Sequence, residues 1–228
     1  MNLYFLLEDS KSSFKVFPKW LNFILPNFSQ VPSLTDLQGS ENKLAIASGF
    51  GYPSITKYFE ETLRTIKQLI IPVDYIILCW DTDAKPEYTI EQSKKRFLDI
   101  YIKYPNTCQL KMFVMDRCFE TWLLGNRNAY FSAINKIAFS DFQNFYNVGH
   151  FDPEKMNAPI DSPTIVHYHL KYLQQMLKSG FNTNYSKRSP MFVATKTYYE
   201  ELINRSVSTK DLNSFREFVS FFLTLREN

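Results

Sequence analysis

Short apolar runs alternate with amphipathic stretches through the first half of the chain. Residues 3–7, "LYFLL", form a continuous apolar run closed by Glu8, the pattern of a strand buried on both faces. Apolar side chains then recur at Phe14, Phe17, Leu21, Ile24 and Leu25, which is helical spacing, with Pro18 expected to begin or kink that helix. Residues 26–43 read as loop, punctuated by Pro26, Pro32 and Gly39. "KLAIAS" at 43–48 predicts a second strand. After "GFGYPS", Pro53 suits the first turn of a helix carried by Ile55, Tyr58, Phe59, Leu63, Ile66 and Ile70. The apolar residues of "YIILCWDTDAK" (75–85) predict a third strand. "TIEQ" at 89–92 has capping-box spacing and opens a helix to about Tyr104, "LKMFVM" at 110–115 predicts a fourth strand, and "CFETWLL" at 118–124 reads as helix.

This βαβαβαβ order predicts an α/β fold of Rossmann-like kind, a mostly parallel sheet flanked by helices. Beyond residue 126 the strand signal fades. Ser162 as cap, Pro163 at the first helical position and Gly180 past the end bracket a helix with the stripe Ile165, Tyr172, Leu173 and Met176. A last helix near 211–226 carries Phe215, Phe218, Val219, Phe222 and Leu223. The expected organisation is an α/β core over 1–125 and a mainly helical C-terminal extension over 126–228.

Composition narrows the function classes. The 228 residues are 45% hydrophobic, enough for a substantial core, and only 6 are Gly, which argues against a Gly-rich phosphate loop. A net charge of +3 permits nucleic-acid binding without arguing for it. Cys79, Cys108 and Cys118 have unrelated spacings, so neither a disulfide framework nor a zinc site is readable. The N-terminal segment lacks the basic region of a signal peptide and no apolar stretch approaches membrane-spanning length, so the chain reads as soluble and cytoplasmic. The 17% aromatic content reads mainly as core, though exposed tyrosines could stack bases. His167 and His169, two apart on a helix, are poorly spaced for joint metal ligation and read as structural.

Ligands of open α/β sheets bind at the carboxyl ends of strands. Here those ends carry Glu8, then Asp81 and Asp83, then Asp116, with Glu120 one helical turn on. Carboxylates gathered on one edge repel one another, and a hard divalent cation, Mg²⁺ or Mn²⁺, relieves that repulsion through oxygen ligands. Asp116 reads as structural. Lys11, Lys85 and Arg117 lie near these ends and could hold a phosphate, and Lys187 with Arg188 in "YSKRSP" forms a candidate phosphate clamp.

The ordered motifs "LYFLLEDSKSS", "ILCWDTDA" and "CFETWLLGN" resemble those of the Toprim domain of topoisomerases, bacterial primases and overcoming-lysogenization-defect (OLD) nucleases. They are most similar to small RloB-like Toprim proteins of anti-phage, abortive-infection systems. The resemblance covers about residues 3–125. It implies Glu8 as acid/base or metal-linked glutamate, Asp81 and Asp83 as metal ligands, and Glu120 as an accessory acidic residue. It also implies an ABC- or SMC-type ATPase partner. The chain departs from the family pattern at Asp9, where the family has Gly, and near Ser12 and Ser13, where a second acidic residue is missing.

The expected function is therefore metal-dependent nuclease, with Glu8, Lys85 and Lys187 catalytic. Nucleic acid, DNA or RNA, is the expected partner, and the hydrophobic C-terminal helix could serve the ATPase contact or a homodimer. Two alternatives stay open. One is another DxD enzyme, a metal-dependent glycosyltransferase or a phosphatase-like enzyme, in which Glu8 has no essential part. The other is a catalytically inactive sensor or partner subunit, suggested by Asp9.

Overall fold

A computed structural model describes residues 1–39, 42–83, 89–105 and 107–227. Contacts divide the chain into two compact units, Met1–Val114 and Met115–Asn228. The first holds β1 (Asn2–Leu7), α1 (Ser12–Ile24), β2 (Ser29–Val31), β3 (Lys43–Ser48), α2 (Ser54–Leu69), β4 (Tyr75–Asp81), α3 (Ile90–Tyr101) and all of β5 (Gln109–Met115) but its last residue. Among the described residues these five strands make one parallel sheet, in the order β2-β3-β1-β4-β5.

The sheet forms because its central strands are apolar at nearly every position and can be covered on both faces. All six residues of β1 are buried. Strand side chains alternate between faces, so Tyr4 and Leu6 join Ala45, Ile76, Leu78 and Trp80 in one layer. Onto this layer α2 lays Ile55, Phe59, Leu63 and Ile66, and α3 adds Phe97. Phe5, on the alternate positions of β1, meets Phe17 of α1 with ring centroids 5.4 Å apart, and Phe17 in turn meets Trp20. Each such side chain contributes roughly 1.5–3 kcal/mol on leaving water, which is why the apolar runs located these strands.

Local differences from the sequence reading have physical causes. Of the two places expected for Pro18, it does not begin α1 but lies inside it, giving up one ladder donor, and its carbonyl accepts from Gln30 Nε2 at 2.6 Å. β2 falls within the stretch read as loop. It is three residues long and mostly exposed, so no apolar run marks it.

The second unit is helical: α4 (Phe119–Leu123), α5 (Arg127–Ala133), α6 (Ser140–Phe145), α7 (Ile165–Phe181), α8 (Lys196–Thr209) and α9 (Asn213–Glu227). Thr164, not Ser162, caps α7, its side chain accepting from His167 N at 3.0 Å. Gly180 is inside that helix, which ends at left-handed Asn182. A Cβ at 180 would stand 2.8 Å from the Ala129 carbonyl oxygen, so the glycine serves the close approach of α7 to α5. His169 is wholly buried, its two ring nitrogens bonded to Thr121 Oγ1 and the Met156 carbonyl, and burial lowers it to about 4.

Arg205 ties this unit together. Its buried guanidinium donates to the carbonyls of Gly125, Val148 and Phe151 and pairs with Asp211 at 3.0 Å. These are chain segments with no regular partner for those carbonyls, and only a planar fork reaches all of them. Arg205→Ala is predicted to destabilise the protein by about 3–5 kcal/mol, read as a fall in the urea midpoint. A change below about 1 kcal/mol, the range of an exposed pair, would contradict this role.

Candidate functional site

The carboxyl ends of β1, β3 and β4 lie level, with Leu7 paired to both Ser48 and Cys79. From β1 the chain goes first to β2 and β3 on one side and later to β4 on the other. This reversal of strand order is where open sheets leave a crevice. The first residue past β1 is Glu8. Its amide continues the ladder to the Cys79 carbonyl at 3.0 Å, and its carbonyl accepts from Gly51 N at 2.9 Å.

The Glu8 carboxylate spans the crevice. Oε1 accepts from Tyr52 N and Oε2 from Asp81 N, both at 3.1 Å. One side chain thereby joins the end of β1, the loop after β3 and the end of β4. Charge-assisted bonds of this kind are worth about 1.5–3 kcal/mol each where sheltered.

Glu8, Asp81 and Asp83 come together around one cavity of about 50 Å³, lined also by Tyr52, Trp80, Thr82 and Ser93. Asp83 takes the left-handed conformation, φ 51°, which aspartate tolerates better than most residues. Burial first, then the charges of Asp81 and Glu8, push the Cys79 thiol beneath them well up, so it is an inert core residue.

Among the described residues no group of three or more His, Cys, Asp and Glu side chains is arranged to hold a metal ion. Asp81 and Asp83 nevertheless fit a magnesium-type ion by donor chemistry. Such ions are commonly held by one or two carboxylates and keep several waters, and the cavity has room for about three or four waters. Glu8 is committed to main-chain amides, which makes it the residue that positions the DxD segment.

Asp9 does not take the left-handed backbone that a glycine there would permit. Its carboxylate accepts from Lys11 N at 2.9 Å, Ser13 N at 3.0 Å and the hydroxyls of Ser12 and Ser13. Asp9, Ser12 and Ser13 therefore form one local hydrogen-bonded structure at the start of α1. The Lys11 side chain is exposed.

Glu120 and Lys187 are brought together in the second unit. Glu120 is wholly buried; Tyr185 Oη donates to Oε1 at 3.1 Å and the Lys187 ammonium stands 3.5 Å from Oε2. This geometry holds Lys187 and Tyr185 in place through a buried charge. Arg117 Nε donates to the Glu154 carbonyl at 2.8 Å, and Arg188 is exposed. Lys85 lies outside the described residues.

Two features escaped the sequence reading. The Tyr52 contribution is a main-chain N–H, which any residue supplies; only the rule about loops at strand ends could have pointed there. The other is a hub at Ser214 in the second unit. Ser214 Oγ accepts from Trp122 Nε1 and Asp116 N and donates to buried Glu154. Burial, reinforced by Asp152 and Asp116 and opposed by Ser214, raises Glu154 from 4.5 to about 7. No protein-family model, curated protein or solved structure matches this chain.

Glu154 carries a pH prediction. Its folded pKa is above the unfolded one, so the native state holds a proton that the unfolded chain releases between about 4.5 and 7. Stability is then fully present below about 4.5 and falls as pH rises through about 7, by up to about 3 kcal/mol. Urea unfolding across this range should show the decline in wild type and a flatter profile in Glu154→Gln. An unchanged slope in the variant would contradict the assignment.

Proposed function

We propose that the protein is a metal-dependent phosphodiesterase acting on nucleic acid. The observation that carries this reading is the meeting of Glu8, Asp81 and Asp83 at a small cavity where the strand order reverses. A magnesium or manganese ion held by Asp81 and Asp83 would polarise the scissile phosphate and stabilise the leaving oxygen. Glu8 fixes the main chain that presents Asp81. A carboxylate in that place is also a base able to take the proton of an attacking water as the bond to the leaving oxygen breaks. Lys85, two residues past Asp83 in the sequence, would offset the negative charge that builds on the phosphate.

The cavity also bears on the rival reading. At about 50 Å³ it is far smaller than the roughly 300–1,000 Å³ of sites that enclose a drug-sized ligand such as a nucleotide sugar. A phosphate reached from an open surface suits it better. Service as a defence effector beside an ATPase partner, or as a homodimer, belongs to the same proposal. No described helix is long and apolar enough to cross a membrane.

The test is a panel of end-labelled single- and double-stranded DNA and RNA incubated with purified protein. Cleavage should require Mg²⁺ or Mn²⁺, stop with EDTA, and fall roughly 100-fold or more in Asp81→Ala. A wild-type protein that leaves the whole panel intact with either metal would overturn the proposal.

A further inference from the structure

The loop after β3 presents aromatic rings beside the cavity. Phe50 is 72% exposed and its backbone is left-handed, φ 57°, a conformation that bulky residues rarely take. Nothing about this loop is slack. Gly49 N donates to the Leu7 carbonyl, Phe50 N to Ser48 Oγ, Gly51 N to the Glu8 carbonyl and Tyr52 N to the Glu8 carboxylate. Four consecutive amides are thus bonded to the ends of β1 and β3, and Phe50 is held in water on a rigid support. Two residues on, Tyr52 lines the cavity and is 38% exposed, with the Arg96 guanidinium 5.6 Å from its ring centroid.

An apolar ring fixed in solvent gains by stacking on another flat surface. The neighbouring groups say which kind. The cavity beside Tyr52 is the one assigned above to a phosphate, and Arg96 adds a cation that suits an anionic strand. A partner with a flat ring attached to a phosphate backbone is a nucleotide, and its base face must be free of a stacked neighbour, as in an unpaired strand whose bases splay out.

We infer that Phe50, with Tyr52 beside it, is a stacking platform for an unpaired nucleobase next to the scissile phosphate, so the substrate is single-stranded nucleic acid. This rests on the phosphodiesterase reading and adds a substrate class to it.

Fluorescence anisotropy tests it with two labelled 12-mers, an oligothymidylate and an abasic strand of equal phosphate count, with calcium in place of magnesium. Wild type should bind the oligothymidylate about ten-fold more tightly. Phe50→Ala should reduce that affinity to the abasic level, and Phe50→Tyr should keep the preference. Equal affinity of wild type for both strands, or a preference surviving in Phe50→Ala, overturns the stacking platform and leaves the phosphodiesterase reading standing. Binding to neither strand overturns the inference, and the phosphodiesterase reading then stands or falls on the duplex and RNA members of the cleavage panel. A concentration-dependent dimer in sedimentation that Phe50→Ala abolishes, without base preference, would assign the ring to a second copy and overturn the inference as well.

Discussion

The site depends on one carboxylate that binds the protein's own backbone. Glu8 stands where β1 ends and bonds the amides of Tyr52 and Asp81, which end or follow the strands on either side. Two donors on different segments require two acceptors on one short, rigid group, and a carboxylate supplies both with a charge that strengthens each bond. An amide side chain would turn an N–H₂ toward one of those donors. The DxD segment, the cavity and the aromatic loop all inherit their positions from this contact. The negative charge of Glu8 is balanced in part by main-chain dipoles, which eases its closeness to Asp81.

Beside it, the start of α1 is closed from within. Helix N-termini are ready anion sites because their first amides lack partners. Asp9 already meets Lys11 N and Ser13 N, so part of that anion site is filled by the chain itself. The negative charge of Asp9 is spent on the start of α1. In the second unit, buried Glu120 holds the Lys187 ammonium at 3.5 Å.

The legible part of the fold is the part written in side-chain hydrophobicity. The strand read at 43–48 is Lys43–Ser48, and the run at 3–7 sits in Asn2–Leu7, because buried parallel strands are continuous apolar segments. α8 was not read, since its hydrophobic face is interrupted by polar residues such as the buried Arg205, whose partners are carbonyls distant in sequence. Gly180 looked like a helix stop because a close approach between helices leaves the same letter as a C-cap. At the site, Glu8, Asp81 and Asp83 were legible as strand-end acids. The engagement of Glu8 with two amides was not, because main-chain donors carry no mark in the sequence. The pairing of Asp9 with Ser12 and Ser13 lies within one short stretch of the sequence, since it is a local turn.

The most direct test of this account is amide hydrogen exchange, by NMR, at Tyr52 and Asp81 in wild type and in Glu8→Gln. The account predicts protection of both amides in wild type. In the variant at least one should exchange roughly ten- to a hundred-fold faster, the loss of one charge-assisted bond, while Leu6 and Ile77 within the strands keep their protection. If both amides in Glu8→Gln exchange at wild-type rates, Glu8 does not hold the site together, and the central claim fails.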